Sequence, residues 1–201
     1  MKVGSVAISD YPPAVIPWPA ALDWSAAESR SYLAAASDPA VQRHPARCSP
    51  WTVRDLTAHL AATFQRFADQ LDKANAGDLT APFEPGDLSR QNRRAVGLFR
   101  GDPAQALSGQ ATRFLRQARR GQAGQLMGHQ RGPVPVGLQV MWGLSELTVH
   151  HDDLAHAIGS SYRPGDSIVA ALVAMKEAVD GFEAGDDPWL DYLRSTGRLL
   201  T

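Results

Sequence analysis

Residues 146–153, Glu-Leu-Thr-Val-His-His-Asp-Asp, are the densest run of titratable side chains in the chain. In a helix, Glu146, His150 and Asp153 fall on one stripe, at spacings of four and three, each about one turn (~5.4 Å) from the next. The apolar side chains Leu144, Leu147, Val149, Leu154 and Ile158 spread around much of the remaining surface. Such a helix is expected to be largely buried, and buried charges need partners or a metal. A carboxylate oxygen and an imidazole nitrogen at i and i+4 can converge on one cation. A third ligand from a facing helix would complete the set, and His59 is the best candidate, lying among Leu56, Leu60 and Thr63 on an apolar helix face. Two His and one Glu leave a fourth tetrahedral position for water or substrate, the pattern of a catalytic rather than a structural zinc site.

The elements that must position these groups are helical. Residues 22–36 approximate an apolar stripe at helical spacing. The second helix has the clearest start in the chain: Thr52 can cap it while Asp55, three residues on, reaches back to free N–H groups. It is expected to run to about Ala76, with Leu56, His59, Leu60, Thr63 and Phe67 along one face, Phe64 at its margin and Gly77 ending it. Helical patterns follow at 88–100, 104–120, 136–158 and 167–182, and one more short helix is expected within 186–199. The Gly- and Pro-rich tract 121–135 reads as a loop too polar for the core, and no segment alternates with the period of a strand. The expected fold is all-α, four main helices packed as a bundle. A Pro-rich N-terminal arm (1–20) precedes the bundle (21–160), and a helical C-terminal extension (161–201) follows it.

Composition sets the frame. A length of 201 residues suits one domain with a short appendage. A net charge of −1 argues against nucleic acid as the main partner. No apolar run approaches the ~20 residues of a membrane span, and the N-terminal sequence lacks a signal-peptide core. The single Cys48 can form neither an internal disulfide nor a Cys-built zinc site, which suits a cytoplasmic location. Lysine is scarce and alanine abundant, as in proteins from GC-rich genomes.

Two motifs carry a family resemblance. Trp51-Thr52-Val53-Arg54-Asp55-Leu56-Thr57-Ala58-His59-Leu60 resembles the start of the metal-binding helix in the DinB-like four-helix-bundle superfamily, and more narrowly in the N-terminal domain of mycothiol-dependent maleylpyruvate isomerases. The second motif of that family, E-L-x-V-H-x-x-D-L-A-x-A-x-G, is matched from Glu146 through Gly159. The resemblance covers roughly residues 20–160. It implies a divalent metal, usually zinc, held by His59, Glu146 and His150, the same trio reached from helix geometry. It places Asp153 where it would orient a ligand. It also implies a small thiol cofactor, mycothiol in actinobacteria, activated by the metal to attack an electrophilic carbon of a small organic substrate. Full-length isomerases carry a second α/β domain that helps bind the thiol; only about 40 residues follow Gly159 here, too few for such a domain.

The leading expectation is therefore a metal-dependent isomerase or thiol transferase in which His59, Glu146, His150 and Asp153 form the catalytic site. Two alternatives stay open: a thiol-independent hydrolase or lyase using metal-bound hydroxide, and a non-catalytic metal-binding or stress-response bundle. The chain is expected to be a monomer or homodimer, the arm being able to pack on either subunit. Among the other candidates, His151 points about 100° off the stripe and reads as a surface group or a neighbour of a ligand. His156 and His44 read as exposed, and His129 as a loop or a pocket residue. Cys48 reads as a small half-buried side chain, with a reactive thiol as the alternative. The arginines at 113, 116, 119 and 120, and at 90, 93 and 94, read as solvated faces or a carboxylate-holding pocket mouth. Trp51 and Trp142 read as core anchors ahead of substrate platforms, with Trp142 placed to wall the metal pocket.

Overall fold

The computed structural model describes residues 16–199. Seven α-helices make up most of the described chain: α1 (Ala20–Ala36), α2 (Val53–Asn75), α3 (Leu88–Leu98), α4 (Pro103–Ala118), α5 (Val136–Ala157), α6 (Asp166–Asp180) and α7 (Pro188–Ser195). The bundle is formed by α1, α2, α4 and α5, with α4 against α2 and α1 against both α4 and α5. Helix α3 lies on α2 and has no buried residue; α6 and α7 pack on each other, with α6 against α5. The first 15 residues of the expected N-terminal arm lie outside the described residues; Ile16, where description begins, is buried beside Gly137 of α5.

Local sequence explains the helix boundaries. Thr52 Oγ1 accepts from the Asp55 N–H, and an Asp55 carboxylate oxygen accepts from the Thr52 N–H at 3.0 Å, so two free donors at the start of α2 are satisfied reciprocally. Helices α4 and α7 share another start, an Asp cap (Asp102, Asp187) followed by Pro at the first helical position. Helix α5 is buried on nearly every side, which its apolar residues all round had implied. Its Leu138, Met141, Leu144 and Leu147 meet Leu60 and Phe64 of α2, Leu107 and Phe114 of α4, and Leu22 and Tyr32 of α1 in one core.

The structure differs from the sequence reading in three places. Phe64 is fully buried, whereas Phe67 is only partly so, because α2 packs against α4 and α5 together and buries a wider stripe than one row of side chains. Val41–Arg43 in the first loop forms a single 3-10 turn. The tract 121–135 is not all surface: Leu126–Met127 and Val134–Pro135 pair antiparallel, and Met127 and Val134 enter the core. Two-residue strands are too short to show an alternating pattern.

Candidate metal centre

The capped start of α2 projects His59, two turns into the helix, toward α5. From α5, Glu146 and His150 point back from adjacent turns. Glu146 Oε2 lies 3.1 Å from His59 Nε2 and 3.4 Å from His150 Nε2, and one ligand atom from each of the three lies within 4.8 Å of the others. A tetrahedral zinc with bonds of about 2.0–2.1 Å needs donor atoms roughly 3.3 Å apart. The donor set, two imidazole nitrogens and one carboxylate oxygen, thus suits a zinc-type cation in chemistry, and both Glu146–imidazole spacings match it. Both imidazoles are buried, whereas the Glu146 side chain keeps 39% of its surface exposed, so one side of the trio stays accessible.

Asp153 supports the trio from behind. Its Oδ2 accepts from His150 Nδ1 at 2.9 Å, from the Cys48 thiol at 3.0 Å and from Arg198 Nε at 3.1 Å, while its buried Oδ1 has no protein partner. The bond at Nδ1 leaves His150 Nε2 facing Glu146. Burial would raise the Asp153 carboxyl, but the His150 hydrogen bond and charge, with Arg198, outweigh it and hold the group down at about 2. At Glu146 burial again opposes ionisation, and hydrogen bonds from His150 and His59 prevail, holding it well below the usual carboxylate range. For His150 burial disfavours the cation, yet the bonds to Asp153, Cys48 and Glu146 raise it well above an ordinary histidine. His59 is lowered, because burial outweighs its one carboxylate contact.

A cleft of about 230 Å³ opens on the His59 and Glu146 side. Phe67 and Trp142 supply apolar wall, and the His129 ring lies over Trp142 at 4.7 Å between centroids. Arg66 reaches the cleft with its guanidinium bonded to Asn92 Oδ1 at 2.8 Å and Thr63 Oγ1 at 3.1 Å, its charge facing Glu146. Gln70 is buried at the wall with its carbonyl oxygen unpartnered. Gly128 is fixed by close approach: a Cβ there would sit 2.2 Å from the Thr80 carbonyl oxygen and 2.8 Å from Gln70 Oε1. A second cavity, of about 210 Å³, touches Glu146 and His150 from the other side and is lined by Ser145, Val149, Thr196 and Arg198.

The remaining sequence candidates separate cleanly. His129 and Trp142 line the cleft, and Trp51 lies 5.2 Å from the His59 ring. His151 points away from the trio but is buried, bonded to Glu28 of α1 and stacked on Tyr162 at 4.0 Å. His156 and His44 are exposed. Cys48 is half-buried, as its small side chain suggested, but it touches Asp153. Arg113 pairs with Asp69 and Asp72, Arg119 with Asp23 and Arg90 with Asp87; none of the seven arginines singled out lines either cavity. The arginines that do are Arg66, Arg131 and Arg198. Arg66 carried a usable signal, lying seven residues after His59 on the same helix face; Arg198, in the last turn of the described chain, carried none.

A helical bundle that brings two histidines and a glutamate together beside a cleft defines a class, that of bundles built around a candidate metal site. Residues 22–155 match the family described as the mycothiol maleylpyruvate isomerase N-terminal domain, and the chain belongs to that family. Two solved structures share the fold. A crystal structure of the mycothiol-dependent maleylpyruvate isomerase aligns with a TM-score of 0.59 at 18% identity, covering 84% of this chain and 70% of that one. A histidine-to-alanine mutant of the mycothiol-dependent maleylpyruvate isomerase aligns with a TM-score of 0.60 at 16% identity and the same coverage. No curated protein matches the chain.

Proposed function

We propose that the chain is a metal-dependent enzyme, with zinc as the metal, that uses a low-molecular-weight thiol such as mycothiol to isomerise or S-transfer a small electrophilic substrate. The observation that carries this reading is the convergence of His59, Glu146 and His150 within 4.8 Å, with His59 and Glu146 lining a cleft. The family, named for a mycothiol-using isomerase, supports the thiol. A divalent ion held there supplies Lewis acidity, lowering a thiol's pKa so that thiolate is present near neutral pH.

This chain's own residues do the rest. Asp153 keeps the Nδ1 proton of His150 engaged, which aims Nε2 at the ligand position. Phe67 and Trp142 give the cleft an apolar wall, and the Arg66 guanidinium at its lining offers a donor to polar groups of the substrate. Thiolate addition to an activated double bond, rotation about the resulting single bond and elimination of the thiol would give cis–trans isomerisation with no net consumption of thiol.

The test is turnover of a small α,β-unsaturated oxo acid by the purified protein, with and without added mycothiol. Turnover that requires the thiol is the expected result. Turnover at the same rate without any low-molecular-weight thiol would contradict it and favour a hydrolase or lyase at the same residues.

A further inference from the structure

The family match ends at residue 155, yet one side chain of the candidate centre comes from far beyond it. Arg198 Nε donates to Asp153 Oδ2 at 3.1 Å, and Arg198 Nη2 lies 3.4 Å from His150 Nδ1. Its reach is set by the end of α7. Gly197, at φ +78°, takes the left-handed conformation, with its N–H on the Arg194 carbonyl and the Arg198 N–H on the Leu193 carbonyl. These two bonds form a Schellman turn, which reverses the chain and sends Arg198 back toward α5. Helix α7 is itself fixed: Trp189, Tyr192 and Leu193 are buried, and the Tyr192 hydroxyl shares a 2.8 Å hydrogen bond with Ser145, the residue before Glu146. A further bond, from Arg198 Nη1 to the Thr196 carbonyl at 3.1 Å, helps fix the guanidinium.

Resting on the metal reading above, we propose that Arg198 is a positioning residue of the metal centre: through Asp153 it holds the His150 imidazole in its ligating orientation, so that the C-terminal segment completes a site the family domain only begins. Asp153 Oδ2 carries three donors, from His150, Cys48 and Arg198. Arg198 is the permanently charged one and fixes where that oxygen sits. Without it Asp153 is free to turn on its remaining contacts, and the imidazole turns with it.

The experiment measures the zinc affinity of the full chain by competition with a chromophoric chelator, for the wild type, Arg198→Gln, Asp153→Asn and the double variant, with thermal melting of the zinc-free proteins as a fold control. Arg198→Gln is expected to bind zinc about 10–100-fold more weakly, the range seen when groups supporting a metal ligand are removed, and Arg198→Lys to recover part of the loss. Because Arg198 acts through Asp153, the double variant is expected to bind no more weakly than Asp153→Asn alone. An Arg198→Gln affinity within twofold of wild type, or single losses that multiply in the double variant, would overturn the role of Arg198 while leaving the metal site standing. A wild-type chain that binds no zinc would overturn both.

Discussion

Adjacent histidines on α5 do different work because successive helical side chains point about 100° apart. His150 faces Glu146 and His59, while His151 turns into the bundle, where it bonds to Glu28 and stacks on Tyr162. His151→Ala is therefore expected to leave Glu28 buried without its partner and to cost about 1–3 kcal/mol of stability with zinc content unchanged. His150→Ala is expected to lose the zinc. Urea unfolding and metal analysis of the two variants check the contrast; zinc loss on removing His151 would contradict it. The convergence of His59, Glu146 and His150 was legible in the sequence because i, i+4 spacing on a buried helix leaves few arrangements for a carboxylate and an imidazole. Glu28 was less visible: it stands with Ser25, Ser29 and Tyr32 on the buried side of α1, a polar stripe in which no spacing names a partner.

At the scale of elements, the site depends on α2 and α5 keeping register while α4 closes the core beside them. The rings of Phe64, Phe67 and Phe114 form a cluster with centroids 5.6–5.9 Å apart, and Phe64 and Phe114 are fully buried. Phe114→Ala is expected to destabilise the fold by about 3–5 kcal/mol through lost burial and the cavity left behind. Phe114 lines neither cavity at the candidate metal centre, so zinc stoichiometry in the folded fraction is expected to hold. Thermal unfolding with metal analysis measures both, and a loss below 1 kcal/mol would show that the cluster does not hold α4 to α2. Helix starts were legible wherever a side chain caps the backbone, as at Thr52. The Met127–Val134 pairing was not, because two paired residues leave no period, and their burial depends on a core assembled from distant helices. Arg198 shows the same limit: a guanidinium on a long side chain finds its partners in space, whereas the seven arginines read from the sequence as solvated faces or a pocket mouth line neither cavity.

For the whole molecule, the bundle presents its candidate centre between two cavities, one walled by aromatic side chains and one closed by the segment after α7. The fold class followed from uninterrupted helical periodicity. The contribution of the C-terminal segment did not, since it rests on a turn at Gly197 and on packing of α7 that no local pattern announces. Among the described residues, no helix is long and apolar enough to cross a membrane. The proposed cation at His59, Glu146 and His150 would unite these features, and the zinc content of the purified chain tests that proposal most directly. About one zinc per chain in the wild type, falling to near zero in both His59→Ala and Glu146→Gln while each stays folded, is the result the account predicts. A wild type holding no more zinc than those variants would contradict it.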